Sequence, residues 1–543
     1  MKVGEAIVEL LESYGVRYVF GIPGTHSIEM YRGLEQSGIT HVLPRHEQGA
    51  GFMADGYARL SGQPGVCFVI TGPGVTNVST AMAQAWSDSV PMLVISPIND
   101  PVLDKSTSEL VYQGRLHELR DQTTVTESFT AFSEIASDIA SVEELIHRAF
   151  QLFWSGRPQP AHIHVPLSVL RSSVDSAWQP RTIDATSSND EVELQQAVAA
   201  IQAAERPVIV AGGGCRHFSE LLVSLAEKIP APVVTSVAGR GVIQGTNPLG
   251  AGAQPASESC QQLVAESDLL LAIGCELSET DFWSTPILPE KQMWLNLDES
   301  VPFELVSSGN TKAAKAPNEH VLKITTDAGE FLPRLSASLD SPKREAMVDA
   351  HKRAAHVRNS HVDELLPVER KHWRVLTELV KRLPEQAIVT SDMTQLAYTA
   401  CNHLPLQRSN TWFHPNGYGT LGYALPAAIG AMLAHEDTPA LAIVGDAGFQ
   451  YTFAELAVAV ERKLSLVVLL WNNDALQQIA DDMVAADIEP NAVVQANPDF
   501  EMLVKAMGAD YRRVKGLSDL GPQVEAAFNQ GSPVVLELHE TRV

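Results

Sequence analysis

The chain lacks paired cysteines and long apolar runs. Its five cysteines lie singly, without a CxxC pair, which argues against a zinc site and favours reduced thiols. No apolar stretch approaches the roughly 20 residues that span a membrane, and the opening MKVGEAIVELLESYGV is typical of an amphipathic helix rather than a signal peptide. We therefore expect a cytoplasmic protein with no membrane partner.

Positive charge is also scarce. The chain has 39 Lys and Arg against 65 Asp and Glu, a formal net charge of -26. Such a field disfavours nucleic acid and anionic membranes as partners, and leaves room for a small molecule. With 543 residues, 45% of them hydrophobic, the chain is too long for one core, so two to four domains are expected.

Apolar, β-branched runs alternate with alanine-rich helical stretches in three successive blocks. The first carries YVFGIPG, GVCFVITGPG, PMLVISP and AHIHVPL, the second PVIVAGGG and LLLAIG, and the third AIVTSD, ALAIVGDAG, LSLVVLLWNND and PVVLELH. This alternation predicts an α/β fold of three doubly wound parallel-sheet domains. We place the domains at residues 1–170, 188–336 and 365–543.

The third block contains polar residues at the ends of two buried strands. Asp446 follows one strand in the turn GDAG, and Asn473 follows the next strand, 27 residues later. Because the carboxyl ends of parallel strands meet at one edge of a sheet, the two side chains can converge there. Their oxygens suit Mg²⁺, and the helix after Gly448 offers its N-terminus to a diphosphate. A capping Asp and a turn-forming Asn explain each residue alone, but explain the pair poorly.

Glu47 stands at the mouth of a helix that is composed as if it were buried, in RHEQGAGFMADGYAR. A carboxylate removed from water without a partner costs free energy, so it must be paired, protonated or used. A helix-terminal Glu beside Arg45 and His46 is equally compatible with these residues.

These motifs, together with FGIPG, TGPGVTN and GYGTLGYALPAAIGA, occur in an order that resembles thiamine diphosphate enzymes of the acetolactate synthase-like group. The resemblance covers nearly the whole chain. It implies that thiamine diphosphate and Mg²⁺ are cofactors, that the first domain binds the aminopyrimidine (PYR) and that the last binds the diphosphate (PP). It further implies a homodimer or homotetramer with active sites at the subunit interface.

The resemblance also assigns roles to single residues. Glu47 matches the glutamate that binds the aminopyrimidine and promotes the tautomer needed to form the reactive carbanion. Asp446, Asn473 and the carbonyl of Ala475 match the metal ligands. The remaining positions that match cofactor contacts are Pro23, Gly74, Asn77, Gly419, Leu421, Gly445, Ala447, Gly448, Leu476 and Gln477.

Two of these cofactor positions have a further feature. Leu421 matches the apolar wedge between the cofactor rings, although a core leucine explains it as well. Ala447 stands where the motif usually has glycine, which still allows a tight turn.

Substrate-facing positions are implied at both ends of the chain. Thr25 and His26 match positions that face the substrate in related enzymes, and His117 aligns with a glutamine of the acetolactate synthase site. Histidines can move the protons that decarboxylation needs, so His26 and His117 are catalytic candidates with Glu47. The substrate-facing candidates after the last metal ligand are Gln478, Ile479 and Asp482.

Asp482 falls where acetolactate synthases carry a tryptophan that selects the second substrate. The absence of that tryptophan argues against acetolactate chemistry. With Asp474 and Asp481 it offers carboxylates to a guanidinium, although an acidic, solvated helix face explains them equally well. The resemblance implies a nonoxidative 2-oxo acid decarboxylase, with 5-guanidino-2-oxopentanoate as a candidate substrate. A carboligase of the acetolactate synthase type, a non-catalytic cofactor-binding protein and a flavin oxidase are the alternatives.

Two further expectations concern the middle domain and a lid. Leu167 replaces a lysine that the FAD-binding members carry, so FAD is not expected. Little chain follows the last strand, PVVLELHETRV, so any segment that closes over the site must come from the residues after 480.

Overall fold

The computed structural model describes residues 1–100, 102, 106, 111–183, 191–252, 255–283, 286–298, 321–341, 344–404, 406, 408–435 and 437–543. The predicted start of the middle domain, residue 188, lies outside these ranges. No helix in the described ranges is long and apolar enough to cross a membrane.

The first part of the chain forms a parallel sheet covered by helices. Its strands are β1 (Tyr18–Phe20), β2 (Thr40–Val42), β3 (Gly65–Phe68), β4 (Met92–Ile98), β5 (Phe132–Ile135) and β6 (Ala161–Pro166). Its helices are α1 (Val3–Ser13), α2 (Ile28–Tyr31), α3 (Glu47–Ser61), α4 (Pro73–Ser87), α5 (Thr123–Glu127), α6 (Ile139–Ser155) and α7 (Leu167–Leu170). The strands lie in the order β2-β1-β3-β4-β6-β5, with every pairing parallel.

Alternation along these strands explains the two covered faces. Phe20 and Cys67 enter one hydrophobic cluster with α3 and α4, whereas Val19 and Val66 enter a second cluster with α1 and α6. Successive side chains of a strand point to opposite faces, so a strand that is apolar at every position is buried on both.

The middle part forms a second parallel sheet. Its strands are β7 (Pro207–Ala211), β8 (Val233–Thr235), β9 (Gly250–Gly252), β10 (Leu269–Ile273), β11 (Gln292–Asn296) and β12 (Val321–Thr325). Its helices are α8 (Glu191–Gln202), α9 (Ser219–Lys228), α10 (Glu258–Ala265), α11 (Glu279–Phe282) and α12 (Ala328–Ala337), and α13 (Arg344–Glu364) leads on to the third part. The order is β12-β11-β10-β7-β8-β9, with every pairing parallel. The chain adds β8 and β9 on one side of β7 and then β10 to β12 on the other, so the strand order reverses between β7 and β10.

The last part forms a third parallel sheet. Its strands are β13 (Ile388–Ser391), β14 (Trp412–Phe413), β15 (Ala440–Gly445), β16 (Leu466–Asn472), β17 (Asp510–Val514) and β18 (Val534–His539). Its helices are α14 (Pro367–Val380), α15 (Gln395–His403), α16 (Ala424–Ala434), α17 (Asp446–Thr452), α18 (Leu456–Glu461), α19 (Gln477–Ala485), α20 (Phe500–Ala506) and α21 (Leu517–Phe528). The order β14-β13-β15-β16-β18-β17 repeats that of the first sheet. The predicted three-sheet α/β fold is thus confirmed.

Helices α3 and α16 join the first and third parts of the chain. A Cβ on Gly430 would lie 1.8 Å from the carbonyl oxygen of Met53, and one on Gly56 would lie 2.0 Å from that of Ala427. Glycine at both positions therefore lets the two backbones touch. One hydrophobic cluster continues through both helices.

A buried ion-pair network lies beside this crossing. Arg59 donates to Asp55 at 2.6 Å and to Asp88 at 2.8 Å, and Tyr423 of α16 donates its hydroxyl hydrogen to Asp55. Asp88 also accepts from the backbone N–H of Gly417. The network thus ties the first sheet to the loop that precedes α16.

Candidate active site

The first half of the candidate site lies at the carboxyl ends of β1 to β4. Glu47 is the first residue of α3 and is only 8% exposed. Its Oε2 accepts a hydrogen bond of 2.9 Å from the amide of Asn77 on α4. Gly74 lies in the first turn of α4, and Pro23 lies on the exposed loop after β1. The structure thus brings two predicted cofactor residues into direct contact.

His26 and His117 form a pair on the same edge. Their ring centroids lie 5.3 Å apart, and in the described part of the chain the Nδ1 atom of each is buried without a hydrogen-bond partner. Burial, followed by the positive charge of His117 and of Arg171, lowers the pKa of His26. Thr25 lies beside His26 on the exposed loop.

His117 is held against the turn that begins α4. Its backbone is left-handed, with φ of 60°, and its carbonyl oxygen would lie 2.4 Å from a Cβ on Gly72. Gly72 has φ of 69°, so only glycine fits both the conformation and the approach.

Gln122, which was not predicted as a site residue, fixes this turn by hydrogen bonds. Its Oε1 accepts from the Thr71 hydroxyl at 2.6 Å and from the Gly72 N–H at 2.9 Å. Its amide donates to His164 Nδ1 at 3.0 Å and to Ser96 at 3.2 Å. A buried, fully bonded network of this kind holds one geometry. Gln122 ends the stretch GRLHELRDQ that also contains His117, so its place there was the available signal, but its role comes from contacts that only the fold creates.

The second half of the candidate site lies at the carboxyl ends of β14 to β16. Asp446 is the first residue of α17 and is 2% exposed. Its Oδ1 accepts from the N–H of Ala447 at 3.0 Å, and burial raises its pKa. Gly445 ends β15, and a Cβ on Gly448 would lie 2.4 Å from Asp392 Oδ2. The turn is therefore tight, and glycine is required at position 448.

Asn473 and Ala475 follow β16 on the same edge. Asn473 Oδ1 accepts from the N–H of Ala475 at 3.4 Å, and no hydrogen bond within the described ranges joins Asn473 to Asp446. The residues that share a hydrogen-bonding partner with Asp446 are instead Asn472 and Asp474. No cluster of three or more His, Cys, Asp or Glu in the described residues could hold a metal.

Gly419 and Leu421 lie between β14 and α16, and both are half-buried. Gly419 has φ of 69°, so this loop needs a residue without Cβ. Tyr423 and Ala424, which follow, donate their backbone N–H groups to Asp392 Oδ1 at 2.7 and 3.3 Å. Asp392 therefore fixes the start of α16.

Helix α19 begins directly after the metal-ligand candidates. Leu476 precedes it, Gln477 and Gln478 open it, and Ile479 is 48% exposed. Gln478 donates to Asp482 at 3.0 Å. Leu476 to Asp482 thus follow directly on the turn of Asn473 and Ala475.

The three carboxylates that were candidates for one guanidinium-binding pocket have separate partners. Asp474 pairs with His539 at 3.1 Å. Asp481 accepts from Gln395 at 2.8 Å and from Gln477 at 2.7 Å. Asp482 alone has a single glutamine partner from its own helix among the hydrogen bonds described.

Two buried carboxyl groups beside the site were not predicted. Burial raises the pKa of Asp392 and of Glu455 to about 7 each. Asp392 Oδ2 has no partner among the described residues, whereas Glu455 accepts from the backbone N–H groups of Arg45 and His46. Asp392 directly follows the strand AIVTS, as Asp446 follows ALAIVG, so the sequence pattern could have identified it. Glu455 lies in a helical stretch where glutamate is ordinary.

Comparison with known proteins gives this arrangement a family. Three thiamine pyrophosphate enzyme models match: the N-terminal TPP-binding domain at residues 1–124, the central domain at 194–335 and the C-terminal TPP-binding domain at 392–538.

Named relatives agree with these matches. The chain is 44% identical to a probable 2-ketoarginine decarboxylase, AruI, of Pseudomonas aeruginosa, over 99% of this chain and 94% of that protein. It is 29% identical to the large subunit of acetolactate synthase isozyme 1 of Escherichia coli, over 87% and 82%. A probable acetolactate synthase large subunit of Methanocaldococcus jannaschii is 27% identical, over 99% and 92%. Because three domain models of one family match in order and a relative is 44% identical over nearly the whole chain, the chain belongs to the thiamine pyrophosphate enzyme family.

Proposed function

We propose that this protein uses thiamine diphosphate and Mg²⁺ to decarboxylate a 2-oxo acid nonoxidatively, and that its substrate is 5-guanidino-2-oxopentanoate. The observation that carries the proposal is Glu47, a buried carboxyl group held by Asn77 at the start of α3, in a chain 44% identical to a probable 2-ketoarginine decarboxylase. We also propose that the domains span residues 1–170, 188–336 and 365–543 and that the site residues have the roles given below.

The residues at the second half-site fit a diphosphate and a hard cation. Asp446, Asn473 and the Ala475 carbonyl would supply oxygen ligands to Mg²⁺. The turn at Gly448 requires glycine, because Asp392 leaves no room for a Cβ there. The other residues that would hold the diphosphate end are Gly445, Ala447, Leu476 and Gln477.

The remaining cofactor contacts divide between the two sheets. Gly419 and Leu421 would contact the rings from the third sheet, and Pro23, Gly74 and Asn77 would contact the aminopyrimidine from the first. When bound, thiamine diphosphate would supply a carbon nucleophile for the 2-oxo group and a cationic ring that accepts the electron pair left when CO₂ departs.

The residues of the chain itself would move the protons. Glu47 would exchange a proton with the aminopyrimidine nitrogen, and Asn77 would orient the carboxyl group for that contact. The His26 and His117 pair would hold the proton that must reach the substrate carbon once CO₂ has left. The lowered pKa of His26 keeps its imidazole neutral near pH 7, so it would relay the proton, taking one up on one ring nitrogen as it gives one from the other.

Substrate selection would come from both sides. Thr25, His26 and His117 would face the carboxylate end of the substrate. Gln478 and Ile479 would line the side-chain pocket, and Asp482 would receive a guanidinium through charge-assisted hydrogen bonds. Ile479 is 48% exposed, as suits an apolar side chain that awaits a ligand or a neighbour.

A homodimer or homotetramer would complete each site across a subunit interface. No hydrogen bond among the described residues joins a predicted site residue on the first sheet to one on the third. Large side chains near both halves are exposed, among them Trp86 at 40%, Tyr418 at 55% and Tyr451 at 63%. A second copy of the chain would cover these surfaces and bring the partner halves together.

The middle sheet would hold no flavin. Ligands of such sheets bind where the strand order reverses, which here is between β7 and β10. The two turns at that point touch: Gly214 donates to the Gly274 carbonyl at 3.0 Å, and a Cβ on Gly212 would lie 2.0 Å from the same oxygen. The two turns thus pack directly against each other. All five cysteines are buried and free, which supports a reducing, cytoplasmic setting.

The test is CO₂ release from 5-guanidino-2-oxopentanoate, pyruvate, 2-oxoisovalerate and phenylpyruvate, with thiamine diphosphate and Mg²⁺ present. We expect the guanidino acid to have the highest kcat/KM and the product to be its aldehyde. Preference for pyruvate with formation of acetolactate would instead establish the carboligase alternative, which the similarity to acetolactate synthases supports. Inactivity on every acid would favour a cofactor-binding protein without turnover, and a yellow protein would contradict the absence of flavin.

A further inference from the structure

The segment that follows α19, residues 486–499, crosses the second half-site without forming a helix or a strand of a sheet. It is largely exposed, with Val494 at 82%. Two backbone hydrogen bonds nevertheless fix it to the turn that carries the predicted metal ligands: Leu476 donates to Val493 at 2.7 Å, and Gln495 donates to Asp474 at 3.2 Å. The segment is therefore attached at its centre.

The side chain of Asn497 makes the second attachment. Its Nδ2 lies 2.7 Å from Asp446 Oδ2, 3.1 Å from Asn472 Oδ1 and 2.9 Å from Asp474 Oδ1. An amide nitrogen carries two hydrogens, so these three oxygens share them. A single side chain thus links α17, the end of β16 and the turn beyond it.

The other end of the same amide is also satisfied. Asn497 Oδ1 accepts from Gln450 Nε2 at 3.0 Å and from Gln495 Nε2 at 3.2 Å. The nitrogen faces only oxygen acceptors and the oxygen faces only donors, so the hydrogen-bonding network fixes which way the amide is turned.

These contacts matter most at Asp446. Its Oδ1 accepts from Ala447 and its Oδ2 from Asn497, and the backbone of Asp474 and the side chain of Gln495 also donate to its carboxylate. Hydrogen bonds to a ligating carboxylate hold it in its binding orientation, and losing such a partner typically lowers metal affinity roughly 10–100-fold.

We propose that Asn497 is a positioning residue for the cation: it holds the carboxylate of Asp446 in its binding orientation and couples cation binding to the attachment of residues 486–499 over the site. The inference rests on the proposed function, because it takes Asp446 as a cation ligand. It adds a residue outside the expected ligand set, and it identifies what fastens the segment that could close over the site.

Mn²⁺ provides a probe that does not depend on turnover. We would titrate it into the full-length protein with thiamine diphosphate present and follow free Mn²⁺ by electron paramagnetic resonance. Asn497→Ala should bind Mn²⁺ roughly 10–100-fold more weakly than wild type. Asn491→Ala is the matched control, because Asn491 is exposed on the same segment and bonds only to the nearby Glu489 carbonyl in the contacts described. It should bind as wild type does.

Three further readouts separate positioning from a general structural effect. Amide hydrogen exchange of residues 486–499 should quicken in Asn497→Ala and not in Asn491→Ala. The apparent KM for Mg²⁺ should rise in Asn497→Ala while kcat at saturating Mg²⁺ stays within about twofold of wild type, since weaker binding is overcome by mass action. The thermal midpoint without metal should be unchanged.

The outcomes distinguish the inference from its foundation. Wild type that binds no Mn²⁺ with thiamine diphosphate present would overturn the proposed cation site and this inference together. Wild-type binding with equal or tighter binding by Asn497→Ala would overturn the inference alone, because the amide would then be neutral to the cation or compete with it.

Discussion

The amide of Asn77 donates a 2.9 Å hydrogen bond to Oε2 of Glu47, and this contact links the first turns of α3 and α4. The hydrogen bond offsets part of the free energy lost when the carboxyl group is removed from water. It involves only one of the two carboxyl oxygens. Glu47 is thus oriented by the protein and retains an oxygen for a ligand.

Glu47→Gln should abolish decarboxylation without abolishing cofactor binding. The amide keeps the size and the contact with Asn77, but it cannot exchange the proton, so kcat should fall by roughly 10²–10⁴. CO₂ release measures the loss, and calorimetric titration with thiamine diphosphate measures the retained binding. The exposed Glu35, replaced by Gln, serves as the control. Equal inactivity of wild type and Glu47→Gln on every 2-oxo acid would contradict the catalytic role.

The His26 and His117 pair should appear in the pH profile. The pKa of His26 is lowered, so its imidazole is neutral above pH 6.5 and gains a proton only at lower pH. An acid limb of kcat/KM with its midpoint below 6.5 is therefore expected, and His26→Gln should remove it. Persistence of the same limb in His26→Gln would assign it to another group.

Asp482→Asn should impair the guanidino substrate selectively. Loss of a charge-assisted hydrogen bond costs about 1.5–3 kcal/mol, which corresponds to a fall in kcat/KM of roughly 10–100-fold. Pyruvate, which has no cationic side chain, should be affected little. Asp481→Asn is the matched control, since Asp481 is already bonded by two glutamines. An equal loss with pyruvate would mean that α19 presents only a solvated acidic face.

Gly430→Ala should loosen the contact between α3 and α16. The added Cβ would lie 1.8 Å from the Met53 carbonyl oxygen, so the helices must move apart, and overpacking of this kind costs about 1–3 kcal/mol. The urea midpoint measures the loss. Gly156→Ala is the control, because the closest atom to its Cβ would be 3.8 Å away. Equal midpoints for the two variants would show that the crossing tolerates separation.

Acidification below pH 6.5 should destabilise the fold. Burial lowers the pKa of each of five histidines, so the unfolded chain takes up protons near pH 6.5 that the folded chain excludes. Their contribution is fully present above 6.5 and is lost as the pH falls toward 3, with a slope of about 1.4 kcal/mol per pH unit for each residue. These histidines are His164, His403 and His414, with pKa values of about 3, His372, with a pKa of about 4, and His162, whose pKa lies well below its ordinary value.

Asp392 and Glu455 oppose this trend. Their pKa values of about 7 lie above the ordinary range, so their contribution is present at low pH and is lost as the pH rises to 7. Burial raises the pKa of four more carboxyl groups, Asp88, Glu276, Asp281 and Asp446, but it lowers the pKa of ten histidines in the described ranges. The histidines therefore dominate, and the urea midpoint should fall between pH 7.0 and 5.5. His372→Gln should lessen that fall, and His356→Gln, at an exposed position, should not. A midpoint that rises on acidification would show that the carboxyl groups dominate.

Much of the fold was readable from the sequence because its central strands are apolar at every position. GVCFV and PMLVIS predicted β3 and β4, and LSLVVLLWN predicted β16, since only a strand buried on both faces has that composition. The strand order was not readable. Nothing local shows that the first and third sheets share one order and the middle sheet another, because order is decided by which helices cover which face.

The candidate site was predicted where a motif carries its own chemistry, as at Glu47 and Asp446. Its supporting residues were missed because their roles come from folding. Gln122, Asp392 and Asn497 are ordinary polar residues in the chain, and each becomes informative only when distant segments meet around it. Asp474 shows the converse, since the composition grouped it with the acidic helix while the fold turns it toward His539.

The contact between α3 and α16 also orders events during synthesis. Phe52 and Met53 end fully buried in a cluster that α16 completes, and Ala424 is made several hundred residues after Ser61. At 5–20 residues per second this delay is roughly 20–70 s. Throughout that interval the face of α3 that α16 later covers is exposed on the nascent chain, so a chaperone that holds unfinished chains would bind the first part before the third exists.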